Sequence, residues 1–153
     1  MSNVLLKQFA FTRNALLSEL EKIDAELVDV QPDVFNNTIH WQVGHILTAA
    51  EQFLFGFPSK TQHLPENYPA LFGYGTKPSD WPSEVPSVAE LTEQLRDQLK
   101  RVMQIPEEQF EVKLDKAFLG QETFGGLATL AVFHEANHSG QIHSMSLVVK
   151  RTN

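Results

Sequence analysis

No cysteine occurs among the 153 residues. Disulfides, a cysteine nucleophile, iron–sulfur ligation and any thiolate metal site are therefore excluded, and a metal must be held by nitrogen and oxygen. Thiol chemistry would need a thiol brought in from outside. Positive charge is scarce: Lys and Arg total 12 against 19 Asp and Glu, a net charge of −7, and no basic run exceeds Lys100-Arg101 or Lys150-Arg151. That balance argues against a nucleic-acid partner and against an anionic membrane surface. No apolar stretch approaches the ~18 residues of a membrane span. The first residues lack a basic region followed by an apolar run and a small-residue cleavage site, so a cytoplasmic location is the expectation. Sustained alternation of apolar and polar residues is missing too, which argues against a sheet.

What is present reads as helix. A composition of 42% hydrophobic and 20% charged residues suits one domain over 1–153 with a substantial core. Leu5, Phe9, Leu16, Leu20, Ile23 and Leu27 recur at helical steps and predict a first helix from 3 to about 29, capped by Ser2 and stopped before Pro32. A second begins after Asn37-Thr38 and runs to about Phe55, with Gly56 and Pro58 as stop signals. Ser87-Val88-Ala89-Glu90 is a capping-box pattern opening a third helix. Val88, Leu91, Leu95, Leu99 and Val102 form its stripe, and Pro106 lies beyond it. Residues 107–122 read as a connector, and a fourth helix runs from about Phe124, capped by Thr123, to about Lys150. Between helices two and three, residues 57–86 hold six of the eight prolines together with Tyr68, Phe72, Tyr74 and Trp81. They show no helical period. A loop of that length serves as a lid or binding loop or is a stiffened surface connection, and its aromatics predict that it packs down. The fold expected is an all-α four-helix bundle with a long Pro/aromatic-rich loop between helices two and three.

His134 and His138 are four residues apart on the fourth helix and share one face, about 40° apart on the helical wheel. Leu127, Leu130, Met145 and Val149 lie on the same stripe, so the pair interrupts the core-facing surface near mid-helix. Buried imidazoles need partners, and one metal ion supplies a partner to both rings. His45, on the second helix, offers a third nitrogen and leaves a position open for water or substrate. Trp41, Gln42, Thr48, Ala49 and Gln52 flank His45 on a mixed polar face, which suits the lining of a polar cavity; plain solvent exposure is the other reading. Gln141, about 20° from His134, is placed to touch a ligand or a metal-bound group, and Glu135 borders the same face. His40, His63 and His143 point elsewhere or lie in the loop and read as surface or structural residues. Two core histidines bonded to neighbouring side chains are the bland account of the pair.

Two segments carry a resemblance to a known family. Trp41-Gln-Val-Gly44-His45-Ile46 resembles the helix-two histidine segment of the DinB-like (YfiT-like) metal-binding four-helix bundles. His134-Glu-Ala-Asn-His138-Ser-Gly140-Gln141-Ile142 resembles their H-x-x-x-H-x-G-Q segment, and Phe72-Gly73-Tyr-Gly75-Thr-Lys-Pro78 looks like the inter-helix loop of some members. The resemblance implies a divalent metal, zinc or nickel foremost, on His45, His134 and His138. It also implies, as in several relatives, transfer of a low-molecular-weight thiol such as bacillithiol or mycothiol to a small electrophile, with Gln141 and Glu135 assisting. A non-enzymatic metal-stabilised bundle, dimerising or sensing a ligand, is the alternative, and a homodimer suits either.

The string from His134 to His138 also matches the HExxH signature of zinc peptidases, in which the glutamate is the general base. The extended form needs a glycine at position 141 and a histidine at position 144, where this chain has Gln141 and Ser144. No Asp or Glu follows His138, so the peptidase reading ranks last. Because ligand imidazoles must be neutral, the all-histidine shell predicts metal release below pH ~6.

Overall fold

The computed structural model describes residues 2–57, 60 and 63–152, with residues 2, 3 and 152 described by backbone alone. Four long helices carry the fold: α1 (Ser2–Glu21), α2 (Ile39–Phe55), α4 (Val88–Val102) and α5 (Phe124–Thr152); α3 (Tyr68–Phe72) is a short helix within the long loop. Helix α2 packs against α5 and α4, and α1 against the same two, so the expected four-helix bundle is the observed architecture.

Local signals place most helix ends. The Thr38 side chain accepts a hydrogen bond from the Trp41 amide and opens α2, and Thr123 Oγ1 accepts from the Gly126 amide at the start of α5. Ser87 and Glu90 exchange both bonds of a capping box. Each bond satisfies an amide that the first turn would otherwise leave without a partner. Helix α1 is shorter than its apolar pattern. It ends at Glu21, the backbone extends at Asp24, and a single 3-10 turn, Ala25–Leu27, follows. Leu27 is nevertheless buried, so the apolar spacing runs on through a break that periodicity does not detect. Ser2 is the first helical residue; its side chain, and hence the expected cap, lies outside the described residues.

Two connections differ from expectation. Residues 107–122 contain a 3-10 turn and an antiparallel hairpin, β1 (Lys113–Phe118) with β2 (Gln121–Thr123). Its two-residue turn, Leu119-Gly120, has positive φ at both positions, 50° and 79°, the geometry that matches strand twist. The pairing is irregular between its ends, and β1 shows no alternating burial, which is why no period-two signal reaches the sequence. In the 57–86 loop, Tyr68–Phe72 is helical and Pro78–Asp80 forms a 3-10 turn. The loop does pack down: Tyr68 and Phe72 are buried, Trp81 joins the same core, and Tyr74 points outward.

The core has two apolar clusters. One holds Trp41, Val43, Ile46 and Leu47 of α2 with Ile142, Met145 and Val149 of α5. The other holds Ala49, Phe53 and Leu54 of α2 with Phe124, Leu127, Ala128 and Ala131 of α5. The helices therefore run in opposite directions past each other. His134 and His138 fall at the level where one cluster gives way to the other.

Candidate metal centre

The mixed face of α2 is buried from Trp41 to Ala49 and exposed only at Gln52: His45 is only 7% exposed, and Gln42 is fully buried. His45, His134 and His138 come together, each offering one ring nitrogen, with these atoms all within 4.8 Å of one another. The Nε2 atoms of His45 and His134 are 3.1 Å apart. Two nitrogens bound to one tetrahedral zinc at 2.0–2.1 Å stand about 3.3 Å apart, so this pair already has the spacing a single ion requires.

The other ring nitrogens settle the tautomers of His45 and His138. His45 Nδ1 lies 2.7 Å from the Phe72 carbonyl oxygen. A carbonyl only accepts, so Nδ1 carries the proton and Nε2 keeps its lone pair. His138 Nδ1 lies 2.6 Å from Gln42 Oε1. The Gln42 amide is oriented by donating to Asn37 Oδ1 and Gln141 Oε1 at 3.1 and 3.0 Å. Its oxygen therefore accepts from His138 Nδ1–H, and Nε2 of His138 is again the free donor atom. Holding a ligand histidine by its outer N–H fixes ring orientation and raises its basicity toward metal. Trp41 stacks on His45 at 4.6 Å with planes 11° apart and donates its indole N–H to Thr76 Oγ1.

Gly44 explains how the loop reaches this site. A Cβ there would lie 2.2 Å from the Phe72 ring; its absence lets Phe72 sit flat against α2 and bring its carbonyl to His45. Gly140, in the other histidine segment, has open space at the same test and imposes no such approach.

Burial keeps the three rings neutral. Desolvation lowers His45 below its usual value, against the raising effect of the Phe72 hydrogen bond. His134 is lowered to about 4 by desolvation and then by His45, and His138 to about 3 by desolvation and then by His134 and His45. Each ring is thus held toward its neutral, lone-pair form, the form that binds a metal. The residues present fit a divalent ion through three neutral nitrogens.

His45 and His134 open on a cavity of about 830 Å³, walled by α2, the loop residues Phe57, Leu64, Tyr68 and Tyr74 among others, and the hairpin residues Phe118 and Leu119. The long loop therefore contributes one wall of the cavity beside the histidines.

Two expected participants have other engagements. Glu135 is 1% exposed, and both its oxygens are bound by the fully buried Arg13, at 2.6 Å to Nη2 and 2.9 Å to Nε. Arg13 also donates to the Leu95 carbonyl and to Gln98 Oε1. The glutamate of the HExxH string thus ties α5 to α1 and α4, which corrects its expected assistance at the site and removes the general base from the peptidase reading. Gln141 touches Gln42 and acts on the cluster through it. His40 is buried and structural, between Asp29 and the Pro86 carbonyl, and His143 is exposed beside Glu19. Sequence reasoning put Gln42 on the polar face without seeing that it orients His138, and it missed the Phe72 carbonyl. The only available hint was the i−3 spacing of Gln42 from His45.

An antiparallel helical bundle with a three-nitrogen pocket spanning two helices and opening on a cavity defines the class. The chain matches the DinB superfamily over residues 8–142 and belongs to that family. It is also similar to a solved structure described as the conserved protein of locus from Enterococcus faecalis. The TM-score is 0.71 at 16% identity, over 97% of this chain and 96% of that one, a likeness of fold. No curated protein matches. Among the described residues, no helix is long and apolar enough to cross a membrane.

Proposed function

We propose that the protein is a cytoplasmic, metal-dependent transferase that joins a low-molecular-weight thiol of the bacillithiol or mycothiol type to a small electrophile. The observation that carries this reading is the convergence of His45, His134 and His138 beside a cavity onto which two of them open. A zinc or nickel ion on these three nitrogens would act as a Lewis acid, favouring the thiolate form of an incoming thiol near neutral pH. The chain supplies the rest. The Phe72 carbonyl and Gln42 hold the outer N–H groups of His45 and His138, Gln141 and Asn37 hold Gln42, and the loop and hairpin wall the cavity. In the transfer the thiol proton leaves to solvent, a carbon–sulfur bond forms, and the leaving group departs with its bonding electron pair. The absence of cysteine from the chain accords with a thiol delivered as substrate.

A second reading, a metal-stabilised bundle that pairs with another copy, has one observation in its favour: Phe11 on α1 and Phe133 on α5 are 74% and 68% exposed. A panel of small thiols, incubated with a general electrophile and metal-loaded protein, separates the two. Saturable conjugation that stops on chelation supports the transferase, and silence across the panel transfers the weight to the bundle.

A further inference from the structure

Leu119 is the one non-glycine among the described residues with positive φ, 50°. It takes the first position of the two-residue turn between β1 and β2. Asn, Asp or Gly is the usual occupant there, because a branched side chain crowds the backbone in the left-handed region. Burial does not compensate that strain, since Leu119 is 65% exposed. A strained backbone that holds out an apolar side chain points to a use at the place where the residue stands. That place is the wall of the cavity beside His45 and His134. Tyr74, 98% exposed, reaches the same cavity from the long loop. Residues that line a cavity and are also this exposed stand at its mouth.

Inside the mouth the wall is aromatic. The half-buried Phe118 has its ring 5.4 Å from Phe57 and 6.1 Å from Phe53, and Phe53 meets His134 edge-on at 5.8 Å. Rings therefore run from the hairpin to one of the three nitrogen donors, and tilted rings at such distances favour an aromatic guest. The ionic groups of the wall indicate its charge. Both Glu51 oxygens are taken, by Arg101 at 2.8 and 2.9 Å and by Gln98 at 2.9 Å. His63 stands edge-on to the Phe55 ring, and Lys60 and Glu66 on the loop have opposite signs. The cavity thus offers no field of one sign to an ion. We propose that it takes an uncharged aromatic compound, its ring among Phe53, Phe57 and Phe118, with Leu119 and Tyr74 as the contacts at the mouth. Leu119 is then a specificity residue. The inference deepens the proposed function, on which it rests for the meaning of the guest as the electrophile. Binding itself needs neither metal nor thiol.

The test titrates the full chain, in chelator, with 4-phenyl-1-butanol, its saturated-ring counterpart 4-cyclohexyl-1-butanol and the anion 4-phenylbutyrate, followed by NMR. The phenyl alcohol is expected to bind saturably, about 2- to 10-fold more tightly than the cyclohexyl alcohol, and more tightly than the carboxylate. Leu119→Asn installs a residue the turn prefers and removes the apolar contact. It is expected to weaken the phenyl alcohol about 3- to 10-fold, roughly half the burial of a leucine side chain. The same change is expected to raise the melting temperature by about 2–4 °C as the turn relaxes. Leu119→Met, equally apolar and equally strained, keeps both quantities near those of the parent. Affinity and stability moving in opposite directions is a signature that a packing role for Leu119 does not produce. No saturable binding, tighter binding of either comparison probe, unchanged affinity in Leu119→Asn, or a lowered melting temperature in that variant would each overturn the proposal. Binding of the phenyl alcohol by a protein that conjugates no thiol to any electrophile would instead count against the proposed function alone.

Discussion

The two histidine segments reach the same site by different physics. On α5, His134 and His138 are separated by one helical turn, so the helix alone sets their relation, and a single element presents two donors. On α2, His45 has no such partner. Its position depends on contacts from elsewhere: the Phe72 carbonyl on Nδ1, Trp41 against its face, and the missing side chain of Gly44 that admits Phe72. Donors supplied by one helix are robust to changes around them; a donor set by tertiary packing is as reliable as its most distant support. The same contrast separates Gly44, which a close approach requires, from Gly140, which none does.

The largest expected effect tests whether the segments are equivalent as ligands. His45→Ala, His134→Ala and His138→Ala should each reduce the bound divalent ion from one per chain to none by elemental analysis of untagged protein. Full retention by any one of them removes that residue from the shell. Next comes the anchorage of α5. Glu135→Ala leaves Arg13 charged and buried without its carboxylate and should cost about 3–5 kcal/mol of stability in denaturant unfolding; a near-silent change would mean that the pair does not hold the helix. Gln42→Leu, which frees the outer N–H of His138, should weaken metal binding about 10- to 100-fold with the helical content intact. Unaltered affinity would show that α5 orients its own ligands without help from α2.

The glycines give the sharpest form of the comparison. Gly44→Ala should destabilise the protein by about 1–3 kcal/mol by overpacking against Phe72 and lower metal affinity as well. Gly140→Ala, in open space within a helix, should stabilise it by about 0.5–1 kcal/mol. Thermal melts with and without metal measure both, and equal responses would erase the distinction drawn here. The smallest and most gradual effect concerns acid. His134 and His138 titrate in the fold at about 4 and about 3 but near 6.5 in the unfolded chain. Between those values the unfolded state binds more protons, so stability of the metal-free protein should decline as pH falls from about 6.5 toward 4 and stay level above that range. A melting temperature that rose on acidification would contradict the burial of these rings.

Much of this arrangement is legible in the sequence. Amphipathic spacing and caps at Thr38, Ser87 and Thr123 located three of the long helices closely, because such signals act within a few residues. The end of α1 escaped, since Leu27 continues the apolar spacing across a break at Asp24. The hairpin escaped because its strands are short, irregularly paired and without alternating burial. For the site, the residue types and the four-residue step named the triad. The role of Glu135 was misread, because nothing local in the sequence says that Arg13, 122 positions away, fills both of its oxygens.

By itself, then, the sequence determined that this protein is a helical bundle, that it has nitrogen donors and no thiolate of its own, and that two of those donors share a helical face. Helical periodicity is a local property, and composition needs no fold to be read. Tertiary structure alone decided which carbonyl fixes His45, which amide fixes His138, and that Glu135 belongs to a buried ion pair. Each of these depends on groups far apart in the chain, brought within hydrogen-bonding reach only when the two apolar clusters close around them.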